Sequence, residues 1–152
     1  MIILINNEQF NHTNICFGEK TKNKIIENSF FYNITYEDIL LSVQYLYIKY
    51  SIENIQLEKY FNKYKLTLSE SDVNNECKRK LCCLEEHILR LFSNTKKHVL
   101  KLKEQFENDN VKCTYNKVLH KKHLSKIDIA IKISGIWENK DEVGLIYKLI
   151  IL

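Results

Sequence analysis

The chain has 152 residues, 45% hydrophobic and 28% charged, with 3 Gly, no Pro, 5 Cys and a formal net charge of +4. That length predicts one ordered domain, able to bury about 70% of its unfolded surface, and the composition excludes disordered, collagen-like and proline-rich classes. No apolar run approaches the roughly 18 residues that cross a bilayer, and Ile2, Ile3, Leu4 and Ile5 are too few for a signal-peptide core, so the reading is a soluble protein of cytoplasm or nucleus.

In chain order, residues 2–5 predict a short first strand and residues 14–18 a weaker second one, followed by a polar Lys/Asn loop. From 30 to 50, aromatic and β-branched residues alternate (Phe30, Tyr32, Ile34, Tyr36, then Val43, Tyr45, Tyr47, Lys49), which is the period of strands. Residues 37–41 between them fit a helical turn. The next stretch, 55–68, is ambiguous, with Leu57, Tyr60, Phe61 and Tyr64 at helical spacing and 65–68 alternating. Across 69–93, Val73, Cys77, Leu81, Leu84, Ile88 and Leu91 recur every three or four residues, the stripe of an amphipathic helix. Ser69 or Ser71 caps it, Glu70 and Asp72 sit near its positive end, and Glu86 with Arg90 forms an i,i+4 pair. Val99, Leu102 and Phe106 predict a shorter helix, stopped by Asn108, Asp109 and Asn110, and 111–115 a strand. Finally Ile127, Ile129, Ile131 and Ile133 alternate with Asp128, Ala130, Lys132 and Ser134, and a second strand at 145–152 completes a β-hairpin. Gly135 permits a bulge or a close backbone approach there.

Lys (21), Ile (20) and Asn (16) make up 57 of the 152 residues, against one Ala and two Arg. These are residues of A/T-rich codons, so Lys abundance and Pro absence say little about function. Residues retained against the bias say more, and Gly135, Gly144 and the single Trp137 all fall in the last 18 positions.

Charge is localised. Residues 1–95 hold 11 basic and 12 acidic side chains, 96–126 hold 9 and 3, and 127–152 hold 3 and 4. A basic segment of this kind is the footprint of a polyanion partner or a solvated lysine face.

Cys77, Cys82, Cys83 and His87, with Cys113, His120 and His123 downstream, raise the question of zinc. Cys83 and His87 share a helical face, but no Cys-x-x-Cys pair is present and Cys77 continues the apolar stripe as a small core residue does. The reading is reduced thiols and surface histidines, with no metal and no cofactor. No Gly-x-Ser-x-Gly, glycine-rich phosphate loop or His-Glu-x-x-His occurs, and the chain reads as a non-enzyme.

Single-stranded nucleic acid suits the residue types. It needs flat side chains for stacking beside cations that follow the backbone. Seven of the nine Tyr lie between Tyr32 and Tyr64, interleaved with lysines, and the strand through Tyr45, Tyr47 and Lys49 puts these three on one face. Lysines of the basic segment, Lys121 and Lys122 among them, would screen phosphates.

The segment Ile131-Lys132-Ile133-Ser134-Gly135-Ile136-Trp137, with Gly144-Leu145-Ile146-Tyr147-Lys148 after a short turn, resembles the closing hairpin of small proteins from large DNA viruses of eukaryotes. Some of these are similar to single-stranded DNA-binding proteins of the oligonucleotide-binding-barrel type. The resemblance covers about 20 residues and implies stacking by Trp137 and Tyr147 and a phosphate contact by Lys148. The acidic turn 138–142 and the mid-chain helix depart from that pattern.

The sequence thus predicts one α+β domain over residues 1–152, a mainly antiparallel and barrel-like sheet with one long amphipathic helix and a C-terminal hairpin. The expected function is a non-enzymatic viral accessory protein that binds single-stranded nucleic acid with little sequence preference. The alternative is a structural or assembly protein, a homo-oligomer joined through the C-terminal strands and the central helix. No membrane partner is expected.

Overall fold

The computed structural model describes residues 2–115 and 123–152. The elements are β1 (Leu4–Asn6), a 3₁₀ turn (His12–Asn14), β2 (Ile15–Lys22), β3 (Phe30–Asp38), β4 (Leu41–Val43), β5 (Leu46–Tyr60) and β6 (Lys63–Leu68). There follow α1 (Asp72–Phe92), β7 (Lys97–Val99), α2 (Lys101–Glu107), β8 (Val111–Cys113), β9 (His123–Glu138) and β10 (Glu142–Ile151). The α+β class and the mostly antiparallel sheet agree with the periodicities.

All ten strands belong to one sheet, and β9 is its axis. On one edge β9 pairs antiparallel with β10; on the other it pairs first with β5 and then, from Gly135 to Glu138, with β3. β3 also carries β2 and β4, β5 carries β6 and the parallel β1, β6 carries β8, and β10 carries the parallel β7. No ladder among the described residues closes the sheet into a barrel. One parallel bridge, Thr114 to Ile150, brings the end of β8 to β10.

The core lies between one sheet face and α1. Ile48, Ile131 and Ile133, all fully buried, belong to one apolar cluster with Leu81, Ile88 and Leu89 of the helix. Each such side chain contributes about 1.5–3 kcal/mol on leaving water. The helical stripe is therefore used inside the chain, except for Val73 and Leu91 at its ends, 46% and 49% exposed. Ser71 is the N-cap, its Oγ accepting from Asn74 N–H at 3.1 Å, as expected for one of the two candidate serines.

Several local expectations change. Residues 37–41 form a hairpin turn joining β3 to β4, because the cross-strand pairs Asp38 to Leu41 and Glu37 to Ser42 outweigh one turn of helix. The 57–64 stretch is a β-hairpin with Phe61 left-handed (φ 53°) in its turn, so the helical spacing of Leu57, Tyr60, Phe61 and Tyr64 was coincidental. β2 continues past Gly18 to Lys22, where the composition suggested a loop. Glu86 pairs with Lys103 of α2 at 3.4 Å in place of Arg90.

β5 stays apolar on its core face through a change of phase. Leu46, Ile48, Tyr50 and Ile52 alternate inward, Asn54 turns left-handed (φ 47°), and Ile55 and Leu57 resume. The fully buried Asn74 side chain supports the interruption. Its Oδ1 accepts from Glu53 N–H at 2.9 Å, and its Nδ2 donates to Glu53 C=O at 2.7 Å and Ser69 C=O at 3.0 Å.

Candidate nucleic-acid interface

Alternation in β5 that buries Leu46, Ile48 and Tyr50 turns Tyr47 and Lys49 to the sheet face away from α1, while Tyr45, expected in the same strand, lies in the bend between β4 and β5 and reaches that face beside Lys132. The register carries that face across three strands, with Tyr47 opposite Lys132 of β9 and Lys132 opposite Lys148 of β10. Neighbouring strands lie about 4.8 Å apart, so this row spans about 10 Å. Lys132 Nζ sits 4.5 Å from the ring centre of Tyr45 and 5.8 Å from that of Tyr47, within cation–π range of both. Tyr45 is 40% exposed and Lys148 exposed, while Tyr47, Lys49 and Lys132 are half-buried. An acid on this face, Asp128, lies further along β9, where it accepts from Ser51 Oγ at 2.7 Å.

Trp137 extends the same face toward β3. It stands in register with Phe31 on one side and Gly144 on the other. Its indole lies against the Gly144 backbone, where a Cβ would overlap the ring, and Phe31 covers Gly135 in the same way. Both glycines therefore let an aromatic ring lie flat on a neighbouring strand. The expected bulge is also present, since Ile146 pairs with Gly135 but Tyr147 with Ile133, leaving Ser134 as the extra residue.

Tyr147 differs from its expected company. The register puts it on the core side with Ile133, and its hydroxyl donates to Gln105 Oε1 of α2 at 2.8 Å. Burial pushes its phenol well above the ordinary range, helped by Glu85. The ring is therefore packed and held, and it does not join the open stacking face.

Beside it, a cleft of about 580 Å³ opens between β10, β8, α2 and the β2–β3 loop. Trp137, Tyr147 and Lys148 all line it, with Lys63, Lys101 and Lys112 as further cations and Glu104 as the acid. Lys148 thus belongs both to the row on the face and to the cleft. Of the other lysines in the basic segment, Lys96 pairs with Glu138 at 3.2 Å and Lys97 with Glu142 at 4.0 Å. Lys121 and Lys122 lie outside the described residues. Lys132, Phe31, Lys101 and Lys112 were not singled out in the sequence. Lys132 was visible there only as the polar alternate of the isoleucine strand, and its meaning depends on the register with Tyr47.

The thiols are suited to packing. Burial raises Cys77 and Cys113 to about 12 and Cys82 to about 11, so all three remain protonated at neutral pH, whereas metal ligation and nucleophilic attack need thiolate. Cys83 is exposed. His87 packs edge-on against His12 with ring centres 4.1 Å apart, and burial holds it below the usual imidazole range. His123 is exposed at the start of β9, and His120 lies outside the described residues. Among the described residues no three metal-ligating side chains converge, and no helix is long and apolar enough to cross a membrane.

No family model, curated protein or solved structure matches the chain.

Proposed function

We propose that the protein binds single-stranded nucleic acid along the sheet face that carries Tyr45, Tyr47, Lys132, Lys148 and Trp137, and acts by binding rather than catalysis. The observation that carries this reading is the cross-strand row Tyr47, Lys132, Lys148, flanked by Tyr45 and Trp137. Stacking contributes about 1–3 kcal/mol per base and needs only a flat, partly exposed ring, and lysines at strand spacing can follow successive phosphates. Lys49 lies on the same face and extends the cationic track along β5. Side-chain stacking of this kind confers little sequence preference. The resemblance of the closing hairpin to proteins of large eukaryotic DNA viruses is what suggests an accessory role in such a virus.

Titration of Trp137 fluorescence with oligo-dT at two salt concentrations tests the reading. Quenching is expected at low salt, with log affinity falling by about 0.7 per phosphate contact for each unit of log salt, a slope near 2 for Lys49, Lys132 and Lys148 together. Absence of binding at low salt, or binding indifferent to salt, overturns it.

A further inference from the structure

β10 is bonded to β9 on one edge; among the described residues its other edge is covered in two places. β7 runs beside residues 142–144, and Thr114 bridges Ile150. Between these points the chain leaves the sheet to form α2, and a gap remains opposite residues 145–149.

Bonds on either side of the gap fix which groups face it. Asp141 C=O accepts from Lys97 N–H at 3.0 Å, Leu149 C=O accepts from Thr114 N–H at 2.9 Å, and Ile151 N–H donates to Thr114 C=O at 2.9 Å. In an extended strand alternate residues direct both backbone groups to the same edge. Tyr147 N–H and C=O therefore point into the gap, with Leu145 C=O before them and Leu149 N–H after them. No described residue bonds to the Tyr147 pair. Backbone groups of a well-packed strand require partners, and among the described residues none supplies one to this pair, which leaves it open to solvent or a ligand.

The gap opens into the cleft of about 580 Å³, within the size range of small-ligand sites. A through-running peptide strand does not fit it, because the chain departs at Leu100 and returns at Cys113, closing both ends. A short flat group does fit. It would meet a donor beside an acceptor on Tyr147, the indole of Trp137 on one wall, and Lys101, Lys112 and Lys148 around the rim. We propose that the cleft seats one nucleobase of a bound strand, its hydrogen-bonding edge against Tyr147 N–H and C=O and its phosphate among these lysines. This rests on the nucleic-acid reading and adds to it one position at which a base is held by its edge; each base offers a donor beside an acceptor, so any preference comes from their order along that edge and from the walls of the cleft.

Amide spectra of the full chain, titrated separately with the four nucleoside 5′-monophosphates and with four homo-oligonucleotides, test it. The Tyr147 amide is expected to shift and to exchange more slowly with solvent on binding, with one base preferred about tenfold, and Lys112→Ala is expected to weaken the monophosphate complex. Equal affinity for all four homo-oligonucleotides with the Tyr147 amide unmoved overturns the base seat and leaves the open-face reading standing. Oligonucleotides that fail to bind while a monophosphate moves the Tyr147 amide remove the open-face reading and support the seat as a nucleotide site. No response to either removes both.

Discussion

Single side chains hold much of this fold at points where the backbone leaves regular structure. Glu85 is fully buried on α1, and its carboxylate accepts from Leu102 N–H at 2.9 Å and Lys103 N–H at 3.0 Å, capping α2 from a neighbouring helix. α2 has no side-chain cap of its own. Burial raises the Glu85 carboxyl above its ordinary 4.5, outweighing the backbone N–H groups of Leu102, Lys103 and Lys101 that lower it. A group whose folded value is raised contributes stability at low pH and loses it as pH rises through that folded value. Urea unfolding across this window should therefore show the native protein losing stability relative to Glu85→Gln as pH rises, and parallel pH curves would refute this. The glycines make a second case. Gly135→Ala forces a methyl against Tyr32 C=O and the Phe31 ring, and should cost about 1–3 kcal/mol. Gly144→Ala meets mainly the Trp137 indole, so it should shift the tryptophan emission as well as lower the melting temperature.

At the scale of elements, α1 and β5 are joined by one amide. Asn74 satisfies both backbone groups of Glu53 beside the left-handed Asn54, and also Ser69 C=O. Truncating it leaves buried polar groups without partners, at about 1–3 kcal/mol for each. Asn74→Ala should therefore destabilise by more than 2 kcal/mol in chemical denaturation, and a change below 0.5 kcal/mol would show that water replaces the amide without loss. The helix itself was legible from its stripe, and the capping serine from its position. The role of Asn74 was not, because an asparagine in the first turn of a helix reads as a local polar residue until the strand beside it is known.

For the whole molecule, the open sheet face and the cleft share Lys148, so binding should depend on cross-strand register more than on the count of lysines. Lys132→Glu reverses charge in the middle of the row and should weaken oligo-dT binding while lowering its salt slope by at least the ~0.7 of one phosphate contact. Lys78→Glu on α1, behind the sheet, should leave both unchanged; equal losses from the two variants would mean that net charge alone governs binding. The apolar helix stripe, once a candidate interface between copies, is largely buried against the chain's own sheet. β7 and Thr114 cover the two ends of the β10 edge. Light scattering at micromolar concentration should accordingly give the mass of a monomer, 18.2 kDa, and a stable dimer would return the assembly reading to the front.

What the sequence determined by itself was which residues share a face. Steps of three and four marked α1, and strict alternation marked the core side of β9 and put Tyr45, Tyr47 and Lys49 together, because side-chain direction follows from the local backbone period. Which strand lies beside which was decided only in three dimensions. The row Tyr47, Lys132, Lys148, the turning of Tyr147 toward α2 and the unpaired stretch of β10 all depend on register between segments far apart in the chain. A single bulge at Ser134 changes which side chains face outward; Gly135 and the step from Ile133 to Ile136 hint at it in the sequence, but which partner residues it brings opposite does not show there.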